Sequence, residues 1–317
     1  MTAFAGVIPI LATPFLDDET LDLESWQRLL EFMIEIRVDG VTILGVLGES
    51  NRLLDHERET LIKSAVRTVN KRMPIIVGTS HSGTEAARDL SRTSARLGAD
   101  AVMVMPGKEA VPSDDRIVES YQRIAEGLTI PIVLQDHPAS SEVHFSVPLI
   151  LRLLREVPAI QCIKEEAVPT APKIRQLRDG IGNERMPILT GLGALYAPFD
   201  LEAGSDGFNT GFAFPEVLMA MVRAAGAGEW QRMHDIYARF AALIVFEQQP
   251  GVAVRKDILR RRGLLTSARA RHPGATISAS TARQLEALLA RTLPGVDITR
   301  PLSVARDTPA QPAAEMM

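Results

Sequence analysis

The chain has 317 residues, 46% hydrophobic and 23% charged, with a formal net charge of −4, the make-up of a globular protein with a sizeable core. That balance argues against nucleic acid or an anionic membrane as partner. A single cysteine, Cys162, excludes an intramolecular disulfide, and no apolar run approaches membrane-spanning length, so the cytoplasm is the expected compartment.

Short apolar runs alternate with amphipathic helical stretches along most of the chain. Strands are expected at 6–10, 40–44, 74–77, 101–105, 130–134, 159–166, 187–189 and 206–209. The helices between them are expected at 23–36, 56–70, 84–97, 115–126, 147–155, 171–178, 194–203 and 215–225. Eight strand–helix units at regular spacing predict an α/β chain folded as a (β/α)8 TIM barrel. An open doubly wound sheet competes, but the Ala-Thr-Pro-Phe after the first strand cannot form a dinucleotide-binding turn. The barrel is expected over 1–225, and a C-terminal helical extension (helices at 230–246, 252–262 and 281–293) over 226–295. The Pro/Ala-rich tail, 296–317, has little to bury and is expected to be disordered. The N-terminus shows no signal-peptide pattern.

Catalytic groups in such barrels lie at the C-terminal ends of strands. The sixth strand, Ala159-Ile160-Gln161-Cys162-Ile163-Lys164-Glu165-Glu166, ends in a lysine and two carboxylates. A desolvated strand-end amine can attack a carbonyl. Taken alone, an ordinary ion pair with Glu165 or Glu166 is the commoner explanation. Period-two alternation puts Glu166 on the face of Lys164 and Glu165 on the other. The other strand ends add Gly45-Val46-Leu47-Gly48-Glu49-Ser50, Gly78-Thr79-Ser80-His81, Gln135-Asp136-His137-Pro138, Thr190-Gly191 and Asn209-Thr210-Gly211. These groups suit a small polar acid that carries a carbonyl.

The Gly45-x-x-Gly48-Glu49-Ser50 motif, the Ile163-Lys164-Glu165 strand end and the C-terminal helices resemble the dihydrodipicolinate synthase / N-acetylneuraminate lyase family over residues 4–295. The resemblance implies a homo-oligomer, tetramer or dimer, that needs no cofactor and joins its lysine to the ketone of a 2-oxo acid as a Schiff base. Two departures stand out. Family synthases and lyases carry hydroxyl residues where Val46 and Leu47 stand, and a tyrosine acid/base where Gln135 stands. An amide cannot exchange protons as a phenol does. Gln135-Asp136, Lys164-Glu165-Glu166-Ala167-Val168-Pro169, Gly207-Phe208-Asn209-Thr210-Gly211-Phe212 and Arg255-Lys256-Asp257 instead resemble the branch of 2-keto-3-deoxy sugar acid dehydratases and aldolases.

By this resemblance Lys164 is the nucleophile and a 2-oxo acid the small-molecule partner. Glu166 is the first candidate acid/base and Gln135 a contact to the substrate. Gly48, Glu49 and Ser50 are candidate carboxylate donors through closely spaced amides, although a structural bond is the simpler role for the Glu49 side chain. His81, Asp136, Thr190 and Thr210 complete the candidate substrate contacts, with His81 and His137 each more commonly a surface-loop histidine. No His or carboxylate spacing suggests a metal. The 255–262 basic cluster reads as the exposed face of an amphipathic helix rather than a nucleic-acid site. Competing functions are a pyruvate aldol condensation like that of dihydrodipicolinate synthase, and a non-catalytic barrel that binds 2-oxo acids.

Overall fold

The computed structural model describes residues 4–108, 113–184, 186–248 and 251–304. Eight parallel strands follow one another round a ring: β1 (Gly6–Val7), β2 (Val41–Ile43), β3 (Ile75–Gly78), β4 (Ala101–Val104), β5 (Ile132–Asp136), β6 (Ile160–Glu165), β7 (Ile188–Thr190) and β8 (Gly207–Phe208). β1 pairs with β8, and the remaining seam closes where Leu11 N–H donates to Thr42 O and Thr42 N–H to Pro9 O. The chain is a closed (β/α)8 barrel.

Each helix forms where an apolar stripe meets a stop or cap signal. In α1 (Leu23–Glu35), Asp22 accepts the N–H of Ser25, and Trp26, Leu29, Leu30 and Met33 are buried at helical spacing. After α2 (Asp55–Val69) and α3 (Thr84–Arg96), α4 (Asp114–Ala125) is capped by Ser113 and buries Val118, Tyr121 and Ile124. A four-residue turn, α5 (Pro138–Ser141), precedes α6 (Val147–Glu156), which is capped by Ser146. Helices α7 (Thr170–Ile181), α8 (Ala197–Glu202) and α9 (Pro215–Gly226) complete the outer layer.

Alternation along the strands separates two cores. Ile8, Ile76, Ala101, Met103, Val133, Cys162 and Leu189 fill the barrel interior over Phe4, whereas Val102, Ile132, Leu134, Ile163 and Ile188 pack outward against helices. Each fully buried apolar side chain contributes roughly 1.5–3 kcal/mol. Burial also pushes the Cys162 thiol well above its ordinary value, so this residue serves as core.

The expected elements differ from the structure mainly at their ends. Ladder bonding continues past β1 to Ile10, but Pro9 has no N–H, and only Gly6–Val7 reads as regular strand. The helix expected at 194–203 is a turn at Leu192–Ala194 followed by α8, which begins at Ala197 with Pro198 in its first turn.

Of the C-terminal helices α10 (Trp230–Glu247), α11 (Val252–Arg261) and α12 (Ala279–Thr292), α10 packs against α8 and α9 and carries the other two. The expectation that the 255–262 basic cluster is an exposed face holds for Arg260 and partly for Arg261, but not for the other three. Arg255, Lys256 and Arg262 are buried and paired with Glu247, Glu49 and Glu216 respectively. Arg262 Nε also donates to Ile298 O, and Leu302 N–H donates to Glu216, so residues up to 304 are tied to the extension. The rest of the tail, 305–317, lies outside the described residues.

Candidate active site

Lys164 sits one residue before the end of β6, on the inward face, and its side chain is 1% exposed. Its Nζ lies 3.0 Å from Glu166 Oε2. Gln135 is register-paired with Lys164 on the neighbouring β5, and its Nε2 donates to the same carboxylate oxygen at 2.8 Å. The second oxygen, Oε1, accepts the N–H of Leu192 at 3.1 Å. A Cβ on Gly191 would land on the Glu166 carboxylate, so the glycine after β7 is what lets this group sit at the rim.

The electrostatics follow from this arrangement. Burial works to raise the Glu166 carboxyl, but Lys164, His137 and the Gln135 amide hold it below its usual value. Glu166 is therefore an ionised acceptor beside the amine, in position to take or return a proton. His137, two residues beyond Gln135, is half-buried at the same rim, and its Nδ1 is buried with no partner among the described residues. Burial lowers the pKa of this imidazole, Glu166 opposes the shift, and Lys164 adds to it. The surface-loop expectation for His137 is thus corrected: two steps along the chain return a side chain to the same face.

Asn209 is a residue that sequence reading passed over in favour of Thr210. With Phe208 packed outward, Asn209 points into the barrel. Its Nδ2 donates to Thr42 Oγ1 at 3.0 Å, while its Oδ1 is buried without a partner among the described residues. The alternation of β8 was the signal that could have found it.

Several expected substrate contacts are engaged elsewhere. Asp136 and Glu165 are register-paired on the outward face, where Lys173 of α7 bridges the two carboxylates. Asp136 is therefore a structural group, for the parity reason that puts Gln135 inside. Thr190 follows the inward Leu189 and faces outward, toward the buried Asp200 of α8, whose carboxyl burial pushes up to about 6 against the Thr170 and Thr190 hydroxyls. Thr210 Oγ1 accepts the N–H of Gly193 and pins the loop after β7.

The loop after β2 also differs from expectation. Gly48 and Glu49 donate their N–H groups to Gly45 O and Val46 O, so neither is free for a substrate carboxylate. Glu49, at a left-handed φ of 55°, is 2% exposed and lies 2.5 Å from Lys256 Nζ and 2.6 Å from Arg52. This ion pair, with the Arg271 N–H also bonded to Glu49, locks the loop to the C-terminal extension. Ser50 remains partly exposed at the rim.

His81 is not brought to Lys164. It is exposed, its Nδ1 accepts the N–H of Gly83, and it lines a cavity of about 260 Å³ with Met105, Pro106, Arg116, Ser120 and Tyr121. Lys164 is not among the residues lining that cavity. Among the described residues, no group of three or more His, Cys, Asp or Glu side chains could hold a metal ion, and no helix is long and apolar enough to cross a membrane.

Comparison with known proteins fits this geometry. The chain is 34% identical over 296 residues to L-2-keto-3-deoxyarabonate dehydratase from Azospirillum brasilense, covering 91% of this chain and 94% of that protein. It is 31% identical over 291 residues to 4-hydroxy-tetrahydrodipicolinate synthase from a Sulfurihydrogenibium species, covering 90% and 97%. The solved dihydrodipicolinate synthase from Rhodopseudomonas palustris superposes with a TM-score of 0.86 at 35% identity, covering 92% of this chain and 98% of that one. The model of the Dihydrodipicolinate synthetase family matches residues 3–292. A closed barrel whose strand-six lysine faces inward, with a family match over nearly its full length, makes this chain a member of the Dihydrodipicolinate synthetase family, a family of lyases and dehydratases.

Proposed function

We propose that this chain is a lyase that dehydrates a 2-keto-3-deoxy sugar acid through a Schiff base on Lys164. The observation that carries the reading is the inward Lys164 held 3.0 Å from a carboxylate whose two oxygens are oriented by Gln135 and by the Leu192 N–H. The similarity to a keto-deoxy sugar acid dehydratase supports the substrate class.

The chemistry runs as follows. With its proton passed to Glu166, Lys164 attacks the C2 ketone, and Glu166 returns that proton to the carbinolamine hydroxyl, which leaves as water to give an iminium and restores the carboxylate. Glu166 then removes a C3 proton, and the resulting enamine expels the C4 hydroxyl, which Glu166 protonates as it leaves. Hydrolysis frees Lys164. For a five-carbon acid, tautomerisation of the released product gives a semialdehyde, so substrate equals product plus one water. Gln135 supplies no proton; it keeps Glu166 aimed at the reacting carbons.

Retro-aldol cleavage is the second reading, because the same iminium supports C3–C4 scission to a pyruvate enamine and an aldehyde. A condensation like that of 4-hydroxy-tetrahydrodipicolinate synthase is less well supported, since an amide occupies the place of the expected phenol. We place the reaction in the cytoplasm and in a homo-oligomer, as parts of the same reading.

Borohydride reduction in the presence of pyruvate tests the Schiff base against a non-catalytic barrel. A mass adduct on Lys164 is expected, and its absence would remove the mechanism. A panel of 2-keto-3-deoxy acids separates the two lyase readings. Dehydration yields a semialdehyde, whereas cleavage releases pyruvate and a shorter aldehyde.

A further inference from the structure

Helix α11 brings two consecutive buried cations to the barrel rim, and only one of them is matched on every side described. Lys256 reaches Glu49. Arg255, 3% exposed, donates from Nε to Glu247 Oε2 at 2.9 Å, and Glu247 in turn accepts the N–H of Ala213. The Arg255 Nη1 is buried and has no acceptor among the described residues. A guanidinium N–H removed from water without an acceptor is destabilising.

The position of Nη1 relative to the mouth follows from the glycine beneath it. Asn209 points inward at the end of β8, and Gly211 is the next inward position along the chain. A Cβ on Gly211 would collide with Arg255 Nη1 and Cζ and would crowd Leu47 Cδ1. The guanidinium thus fills the space that a side chain at 211 would have taken, between the end of β8 and the loop after β2. That loop offers the hydrocarbon side chains of Val46 and Leu47, and the N–H groups of Gly48 and Glu49 are already engaged. A 2-oxo acid entering the mouth brings a carboxylate bonded directly to its ketone carbon. Arg255 is an already immobilised, planar donor with one buried N–H edge unpaired, a geometry suited to a carboxylate.

We propose that Arg255 Nη1 binds the carboxylate adjacent to the ketone that condenses with Lys164. The assignment rests on the Schiff-base reading above and adds its anion site. Glu247 holds the plane of the guanidinium through Nε, Gly211 leaves the space, and Leu47 keeps water from the contact.

Two small ketones test this on the full-length protein. Pyruvate and hydroxyacetone can both form an imine, but only pyruvate carries the carboxylate. Borohydride trapping, read by intact mass against ketone concentration, is compared for the wild type, Arg255→Gln, Arg255→Lys and the double variant Arg255→Gln/Glu247→Gln, which strands no buried carboxylate. Half-saturation by pyruvate is expected to rise roughly tenfold or more in both Gln variants, the loss of one charge-assisted hydrogen bond, with partial recovery in Arg255→Lys. Hydroxyacetone should label all four proteins alike, which also reports that the barrel and Lys164 are intact. Equal shifts for the two ketones, or no shift for pyruvate, would overturn the anion site alone. A wild-type protein that traps neither ketone would sink the Schiff-base reading and this assignment with it.

Discussion

Lys164 and Glu166 stand two residues apart on one strand end, and their charged groups meet at 3.0 Å inside the barrel rather than on its surface. Alternation puts them on one face, and the ring of strands removes water from around them. In such surroundings, proton exchange between amine and carboxylate requires no side-chain movement.

Replacing Glu166 by Gln is expected to separate binding from turnover. The amide retains the size of the carboxylate and a hydrogen-bond acceptor, so the pyruvate adduct on Lys164 should still form, more slowly, with the lysine proton lost to water instead. Turnover should drop by about 10²–10⁴, the usual contribution of a positioned acid/base. Steady-state assay beside adduct mass checks this, and full activity in the variant would take Glu166 out of the chemistry.

Gly191 makes a related prediction from a different element. Alanine there would push the Glu166 carboxylate away from Lys164, because the two cannot share the space. We expect Gly191→Ala to fold, at an overpacking cost of about 1–3 kcal/mol, and to lose kcat more than it gains in KM. Wild-type kcat in a folded Gly191→Ala protein would mean that the carboxylate need not sit at this rim.

Outside the barrel wall, Glu165 shares a buried site with Asp136 and Lys173. Burial, with repulsion from Asp136 and against the pull of Lys173, pushes the Glu165 carboxyl up to about 8. An unfolded glutamate titrates near about 4.3. Between these values the folded chain keeps a proton that the unfolded chain has released, so stability should fall as pH rises through the window. Melting temperatures taken at about pH 5 and about pH 8.5 should show that decline, and Glu165→Gln should flatten it. An unchanged slope in the variant would locate the titration elsewhere.

The Glu49–Lys256 pair joins the loop after β2 to α11 with both partners out of water. Burial pulls the Lys256 ammonium down to about 8, with Glu49 resisting. Glu49→Ala strands that cation and is expected to cost about 3–5 kcal/mol in denaturant unfolding. Glu49→Leu/Lys256→Met removes both charges and should recover much of the loss. A double variant as unstable as the single one would show that the pair is not the source.

What the sequence determined by itself is local. Alternating apolar runs and helical stripes specify the eight strand–helix units, and the period of two separates Lys164 and Glu166 from Glu165, because successive side chains in a strand take opposite faces. Tertiary structure decided which groups meet across the ring. Strand register set Gln135 beside Lys164 and turned Asp136 to the outer wall with Glu165. Packing of the C-terminal helices against the rim turned Glu49 into a tether and carried Arg255 to the space above Gly211, and buried Arg255, Lys256 and Arg262 of a basic cluster that composition alone reads as surface. Contacts between residues far apart in sequence depend on how whole elements stack and on the stagger of the closed sheet, and no local pattern encodes either.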